Sequence, residues 1–275
     1  MNCHKKTQKA QKTFPLLCFL RFFVANFLPP SVFICGLVFL ATFGFAQQPN
    51  EPETGDALAK ELRTMFPGGN TEISGILKIR SPGRRADIPV ISKIVTNGNS
   101  WMMIYETSAT TNTPVEKLVV IHSSNGPNKY LYARAAAPKD LLPQSKSIAP
   151  SEAAISLAGS DFWLSELGFD FLHWPVQRKL PGEMRLGQAC YVLESINPNT
   201  AIVVRVKSWI DKDSGGLLIA EGYDRDKKLI KEFSLAGSSF KKVNGNWQLR
   251  RMKIRSPKKD SETVLEFDLT EEMKD

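Results

Sequence analysis

Cysteine is scarce where a scaffold would need it. Of the four cysteines in the 275 residues, Cys3, Cys18 and Cys35 fall near the start and only Cys190 follows. One thiol makes no internal disulfide and no cysteine-rich zinc site, so the body of the chain must be held by its core. Histidine is scarce too, with His122 and His173 the only two after His4. Catalytic signatures are missing: there is no Gly-x-Ser-x-Gly, no His-Glu-x-x-His, no phosphate-binding glycine loop and no Cys-x-x-Cys. No nucleophile-and-base set is visible, so the expectation is a non-enzyme without metal or cofactor. Charge of one sign is also thinner than it looks. The formal net charge is +8, but Lys5, Lys6, Lys9, Lys12 and Arg21 sit in an acid-free stretch over 1–46 and leave only +3 for the rest. A nucleic-acid partner inferred from net charge loses its support.

What is present begins with a leader. Phe27 to Ala46 reads FLPPSVFICGLVFLATFGFA after the basic stretch, and Val32 to Phe45 is mostly apolar. Gly44 and Ala46 are small residues just before polar Gln47-Gln48-Pro49. This is the grammar of a secretory signal peptide cleaved after Ala46. The apolar run is short for a spanning helix, which needs about 20 residues; a retained anchor is the alternative, and a true start downstream of Met1 would shorten the long basic region. Residues 47–55 read as a mobile linker and 56–275 as a single domain.

The body reads mainly as strands. Leu58, Leu62, Met65 and Phe66 mark one face of a helix over Asp56–Phe66, with Asp56 as its cap and Pro67-Gly68-Gly69 as its stop. Period-two alternation then sets in, with Ile73, Gly75, Leu77 and Ile79 facing one way. Further strands are expected over Ile88–Thr96, Ser100–Thr107, Lys117–His122 and Asn128–Ala133. Asn97-Gly98 and Asn125-Gly126 supply tight turns. Ala135 to Pro181 interrupts the pattern with Pro138, Pro143 and Pro150, two short helices over Ser151–Ala158 and Phe162–Leu167, and Asp161 as a cap. Strands resume over Gln188–Ile196, Ala201–Asp211, Leu217–Tyr223 and Lys228–Leu235. Asn244-Gly245 joins Ser239–Val243 to Trp247–Arg255, and Glu262–Leu269 is last, with Thr263, Leu265, Phe267 and Leu269 inward. The expected fold is mainly β (α+β), ten or eleven antiparallel strands that cannot stay flat.

Few residues invite chemistry. His122, His173 and Cys190 read as packed or surface groups. Asp213, Asp224 and Asp226 read as turn residues, because the glycine and terminal glutamate of a calcium loop are missing. Lys241, Lys242 and the bases over Arg250–Arg255 form a basic strip, either a solvated sheet face or a contact for acidic lipid headgroups or a partner. Phe162, Trp163, Phe169, Phe171 and Trp174 crowd one short stretch, either as core or as a lid over an apolar cavity.

The order of elements carries a resemblance. After the helix and Ile73-Ser74-Gly75 come Gly159-Ser160-Asp161-Phe162, then Gly187-Gln188-Ala189-Cys190-Tyr191-Val192-Leu193-Glu194, Ser208-Trp209-Ile210-Asp211-Lys212, Leu229-Ile230-Lys231-Glu232-Phe233, Val243-Asn244-Gly245-Asn246-Trp247 and Glu262-Thr263-Val264-Leu265-Glu266-Phe267. Over most of 56–269 this resembles the outer-membrane lipoprotein-sorting proteins of the LolA-like superfamily, in its uncharacterised periplasmic branch. The resemblance implies a highly curved antiparallel half-barrel whose concave face is capped by short lid helices. It implies a periplasmic carrier that shelters acyl chains of lipoproteins or lipids, with envelope proteins of the inner or outer membrane as partners. It also implies an arginine on an early strand that latches the lid. Arg80, Arg84 and Arg85 lie near that place, with Arg84 and Arg85 reading as loop.

The residues point to where such a cavity would lie. Ser100–Thr107 is apolar on both faces, more than one packed layer requires. The expected acyl-chain lining is Trp101, Met103 and Tyr105, or Met102 and Ile104 on the other face, together with Phe162, Trp163 and Leu167. A non-transporting interaction or stress-sensor module on the same fold is the alternative function.

Overall fold

The computed structural model describes residues 52–65, 67, 69–98, 100–110, 113–123, 126–142, 144–235, 239–243 and 246–269, with the backbone alone at 242–243 and 246–248. The leader over 1–46, and with it the expected cleavage site, lies outside the described residues, as do Phe66, Asn125, Asn244 and Gly245.

Fifteen strands are assigned: β1 (Thr71–Ser81), β2 (Arg84–Asn97), β3 (Ser100–Thr107), β4 (Val115–His122), β5 (Lys129–Ala135), β6 (Lys146–Ile148), β7 (Val176–Arg185), β8 (Gln188–Ile196), β9 (Arg205–Asp211), β10 (Leu217–Tyr223), β11 (Leu229–Ser234), β12 (Phe240–Val243), β13 (Asn246–Leu249), β14 (Arg251–Ser256) and β15 (Ser261–Phe267). Thirteen of them form one open antiparallel sheet in the order β6-β5-β4-β3-β2-β1-β15-β14-β11-β10-β9-β8-β7, and β12 and β13 pair apart. Two meanders are therefore joined at their middle by β1 against β15, with Leu77 opposite Leu265 and Ile79 opposite Thr263. The two edges, β6 and β7, are consecutive in the chain. Residues 149–175 must accordingly cross the face of the sheet from one edge to the other. The topology makes this segment a cover.

That crossing needs a curled sheet, and helix α1 (Gly55–Thr64) shows the curl. Its Leu62 borders a cleft with Tyr191 of β8 and Ile210 of β9 on one side, and a second cleft with Trp101 of β3 and His122 of β4 on the other. β3 and β8 stand eight strands apart in the sheet, roughly 38 Å if laid flat. One ten-residue helix reaches both only because the sheet wraps around it. The inward residues of β1 (Leu77, Ile79), β8 (Leu193), β9 (Val206, Ile210) and β15 (Leu265, Phe267) share one core with Leu58 and Leu62 of α1.

The strand alternation expected for β1 and β15 holds, with Thr263, Leu265, Phe267 and Leu269 buried and Glu266 turned to Lys78 and Arg250. Other expectations need correction. The sheet has thirteen strands where about ten or eleven were expected. β7 lies partly in the stretch read as irregular, because Pro181-Gly182 looks like a breaker. On an edge strand those residues are tolerated at a bulge, and the register of β7 with β8 shifts between Leu180 and Glu183. β2 starts at Arg84, so Arg84 and Arg85 are strand rather than loop. Thr54, not Asp56, caps α1, accepting from the Ala57 amide at 3.1 Å. The run expected over Trp247–Arg255 breaks at Arg250 into β13 and β14 in different sheets. Ala201–Val204 lies outside β9, and Ile202 is exposed. Ser151–Ala158 holds 3-10 turns at Pro150–Glu152 and Leu157–Gly159 instead of a helix, and α2 is only Leu164–Leu167.

Candidate functional site

The covering segment is tied down along one margin. At the turn over Leu157–Gly159, Ala158 (φ 50°) and Gly159 (φ 67°) both adopt left-handed backbone. Two charged side chains hold that turn from opposite sides. The Ala158 amide donates to Glu116 Oε2 of β4 at 2.6 Å. Arg84 of β2 donates to the carbonyls of Gly159 at 3.0 Å and Ala158 at 3.2 Å. Of the three candidate arginines, Arg84 is thus the one that clasps the cover. Asp161, expected to cap a helix, instead anchors the segment to β15: its carboxylate accepts from Ser261 Oγ at 2.5 Å and Thr263 Oγ1 at 2.9 Å. Farther along, the Gly168 carbonyl accepts from Asn128 Nδ2 at 2.7 Å. A Cβ at Gly168 would stand 2.5 Å from the Tyr130 hydroxyl, so only glycine fits there. Phe162, Leu164 and Leu167 point down from this margin into solid core.

The other margin overhangs a cavity of about 100 Å³, open at its mouth. Its floor is Val206 of β9, Ala220 and Gly222 of β10, Phe233 of β11 and Ile254 of β14; its roof is Trp163, Phe169, Phe171 and Trp174; Ile202 and Val203 form part of the wall. Phe169 packs edge-on against Phe233 and Phe171, which sets the ring orientations.

Three titratable groups face this apolar space: Lys231, Glu166 and Asp170. The Lys231 ammonium lies 3.5 Å from the centre of the Trp163 ring, 2.8 Å from Glu166 Oε2 and 2.5 Å from the Asp161 carbonyl. Glu166 Oε2 also accepts from the Trp163 amide at 2.7 Å. Burial pushes the Glu166 carboxyl up and the Lys231 ammonium down, and their mutual attraction opposes both shifts. Asp170 is raised to about 6, chiefly by burial; the Tyr130 hydroxyl, 3.4 Å away, and Trp174 offset part of that.

The residues expected to line a cavity are not brought together on one wall. Only Trp163 lies on it. Phe162 and Leu167 sit in the core beneath the tied margin. Tyr105 is buried, its hydroxyl donating to Met103 Sδ at 3.1 Å. Trp101 stacks on His122, ring centres 3.7 Å apart, beside the smaller cleft under α1. Met102 and Ile104 are half-buried on alternate positions of β3. The aromatic crowding over 162–174 signalled the roof, whereas the floor comes from strands that read as ordinary core. One signal was available for Lys231: it falls in phase with buried Phe233 and Leu235, a lone charge on an apolar strand face.

The curled open sheet with a cover over its hollow face defines a LolA-like half-barrel. Residues 104–274 match a family model described as "Uncharacterized protein", and the chain belongs to that family. Three solved structures share the fold. A DUF1329 family protein from Desulfovibrio piger aligns at 18% identity and TM-score 0.62, covering 78% of this chain and 90% of that one. A domain assigned to outer membrane lipoprotein sorting from Vibrio parahaemolyticus gives the same four figures, 18%, 0.62, 78% and 90%. A LolA superfamily protein from Nitrosomonas europaea aligns at 14% identity and TM-score 0.53, covering 78% and 91%. No curated protein matches the chain.

Proposed function

We propose that the protein is a carrier that shelters an acyl chain in the cavity between the segment 149–174 and strands β9, β10, β11 and β14. The observation that carries this reading is an apolar, open-mouthed cavity roofed by the aromatic side chains of the covering segment. An acyl chain in water costs about 0.8 kcal/mol per exposed CH₂, so a carrier must offer comparable apolar surface. The roof supplies it with aromatic rings, and the cavity mouth is where a chain can enter without breaking the Arg84, Glu116 and Asp161 ties. The resemblance to lipoprotein-sorting proteins extends the proposal to lipoprotein or lipid cargo, one domain over 56–275, and export to the periplasm by cleavage of 1–46.

Mass spectrometry of lipids that co-purify with protein exported from its leader tests the proposal. Acyl-bearing species in near-stoichiometric amount are expected, and their loss in Trp163→Asp, which sets an unpaired charge against the cavity. Lipid-free protein that also fails to take up an apolar fluorescent probe would contradict it. N-terminal sequencing of the exported chain tests the leader, with Gln47 expected first.

A further inference from the structure

The polar groups on the cavity wall constrain what the sheltered chain carries beside it. Lys231 is the single cation among the described lining residues, and it is committed: Glu166 and the Asp161 carbonyl take its protons and the Trp163 ring takes its face. Asp170 is the remaining charge. Among the described residues its carboxyl has the Tyr130 hydroxyl, at a long 3.4 Å, and Trp174 as side-chain donors, whereas a carboxylate offers about four acceptor sites. An apolar roof gains nothing from a buried carboxylate, and burying one without sufficient donors is unfavourable. A ligand that brings an N–H donor next to its chain would relieve that deficit, and a ligand that brings a second carboxylate would worsen it.

We propose that the cavity selects chains bearing an N–H donor, an amide or an ammonium, over chains ending in a free carboxylate, with Asp170 as the residue that reads the difference. The proposal rests on the acyl-chain reading of the same cavity. Its sign is unusual for a fatty-acid site, where a free cation would be expected to meet the headgroup. Here the cation is occupied and an acid stands among the lining residues. An ammonium would come from an amine-bearing amphiphile and an amide from an amide-linked chain, and the two are separated by testing both.

The test uses competition. A neutral apolar fluorescent probe is displaced from the protein above pH 7 by dodecanamide, dodecylammonium or dodecanoate, each below its micelle concentration. The amide and the ammonium are expected to displace the probe at least about tenfold more effectively than the carboxylate. Whichever of the two is stronger names the donor. Asp170→Asn should bring amide and carboxylate to within about twofold of each other. Glu166→Gln, which frees Lys231, should improve the carboxylate. Equal displacement by amide and carboxylate in the unmodified protein would overturn the proposal while leaving the acyl-chain reading intact. So would a preference unchanged in a folded Asp170→Asn protein. Failure of the probe and of all three amphiphiles to bind would overturn the acyl-chain reading and this inference with it.

Discussion

The two margins of the segment that crosses the sheet are built from different chemistry. Toward β15, β2, β4 and β5 the backbone is held by Asp161, Arg84, Glu116 and Asn128, and the side chains beneath are solid core. Toward β9, β10, β11 and β14 aromatic rings span a cavity and Lys231 holds Glu166 and the Asp161 carbonyl, while Arg63 and Gln177 bind the carbonyls of Leu172, Phe171 and Trp174 at the far end. The same short helix serves both, with Leu164 and Leu167 on one side and Glu166 on the other.

Mutations on the two margins should therefore differ most. Phe162→Ala, at a fully buried position of the tied side, is expected to lose about 3–5 kcal/mol in chemical denaturation. Trp163→Ala, one residue on and half-buried over the cavity, should lose less than half of that. Equal losses would erase the distinction between solid core and cavity.

Asp170→Asn comes next, with a sign that depends on pH. A folded value of about 6 against an ordinary 3.8 means that the folded protein binds the proton more tightly than the unfolded one. Stability from this group is therefore present at low pH and lost as pH rises from about 4 through about 6. The asparagine protein should match the parent below about pH 4 and exceed it above pH 7 by up to roughly 3 kcal/mol. A parent more stable than the variant at pH 8 would show Asp170 already well satisfied.

Smaller effects follow. Arg84→Ala removes two charge-assisted bonds at the surface end of the tied margin. A loss of about 1 kcal/mol is expected, read most directly as faster hydrogen exchange at the Ser160 amide, which bonds to the Leu157 carbonyl in that turn. Slower or unchanged exchange would remove Arg84 as a tie. Glu266→Gln breaks the partly exposed pairs with Lys78 and Arg250 on the opposite face of β15. It should change stability by less than about 1 kcal/mol and leave probe uptake as it was.

Much of the architecture was legible because it is local. Period-two burial in β1 and β15 shows in residues such as Leu77, Ile79, Leu265 and Phe267, and Asn97-Gly98 marks the β2–β3 turn through Gly98 at φ 56°. What was not legible is non-local. Nothing in the Thr71–Ser81 or Ser261–Phe267 segments announces that they pair, although that pairing joins the two meanders and sends 149–175 across the face. The candidate site suffered most. Phe162 and Trp163 are neighbours with similar side chains, yet one is core and the other cavity wall. Which way each points depends on Asp161 meeting Ser261 and Thr263, about a hundred residues away. The apolar excess of β3 is absorbed by Tyr105 against Met103 and Trp101 against His122, so it marked packing around α1 and the sheet rather than the hollow.

The central claim is that the hollow lies under the aromatic margin, and photo-crosslinking reads its position directly. An acyl chain carrying a photoreactive group at its tail is irradiated with the protein, with and without excess unlabelled chain, and the labelled peptides are identified. Competable label on peptides containing Trp163, Phe171, Val206 or Phe233 is the result this account predicts. Label on Trp101, Met103 and Tyr105 instead, or label that excess chain does not displace, would contradict it.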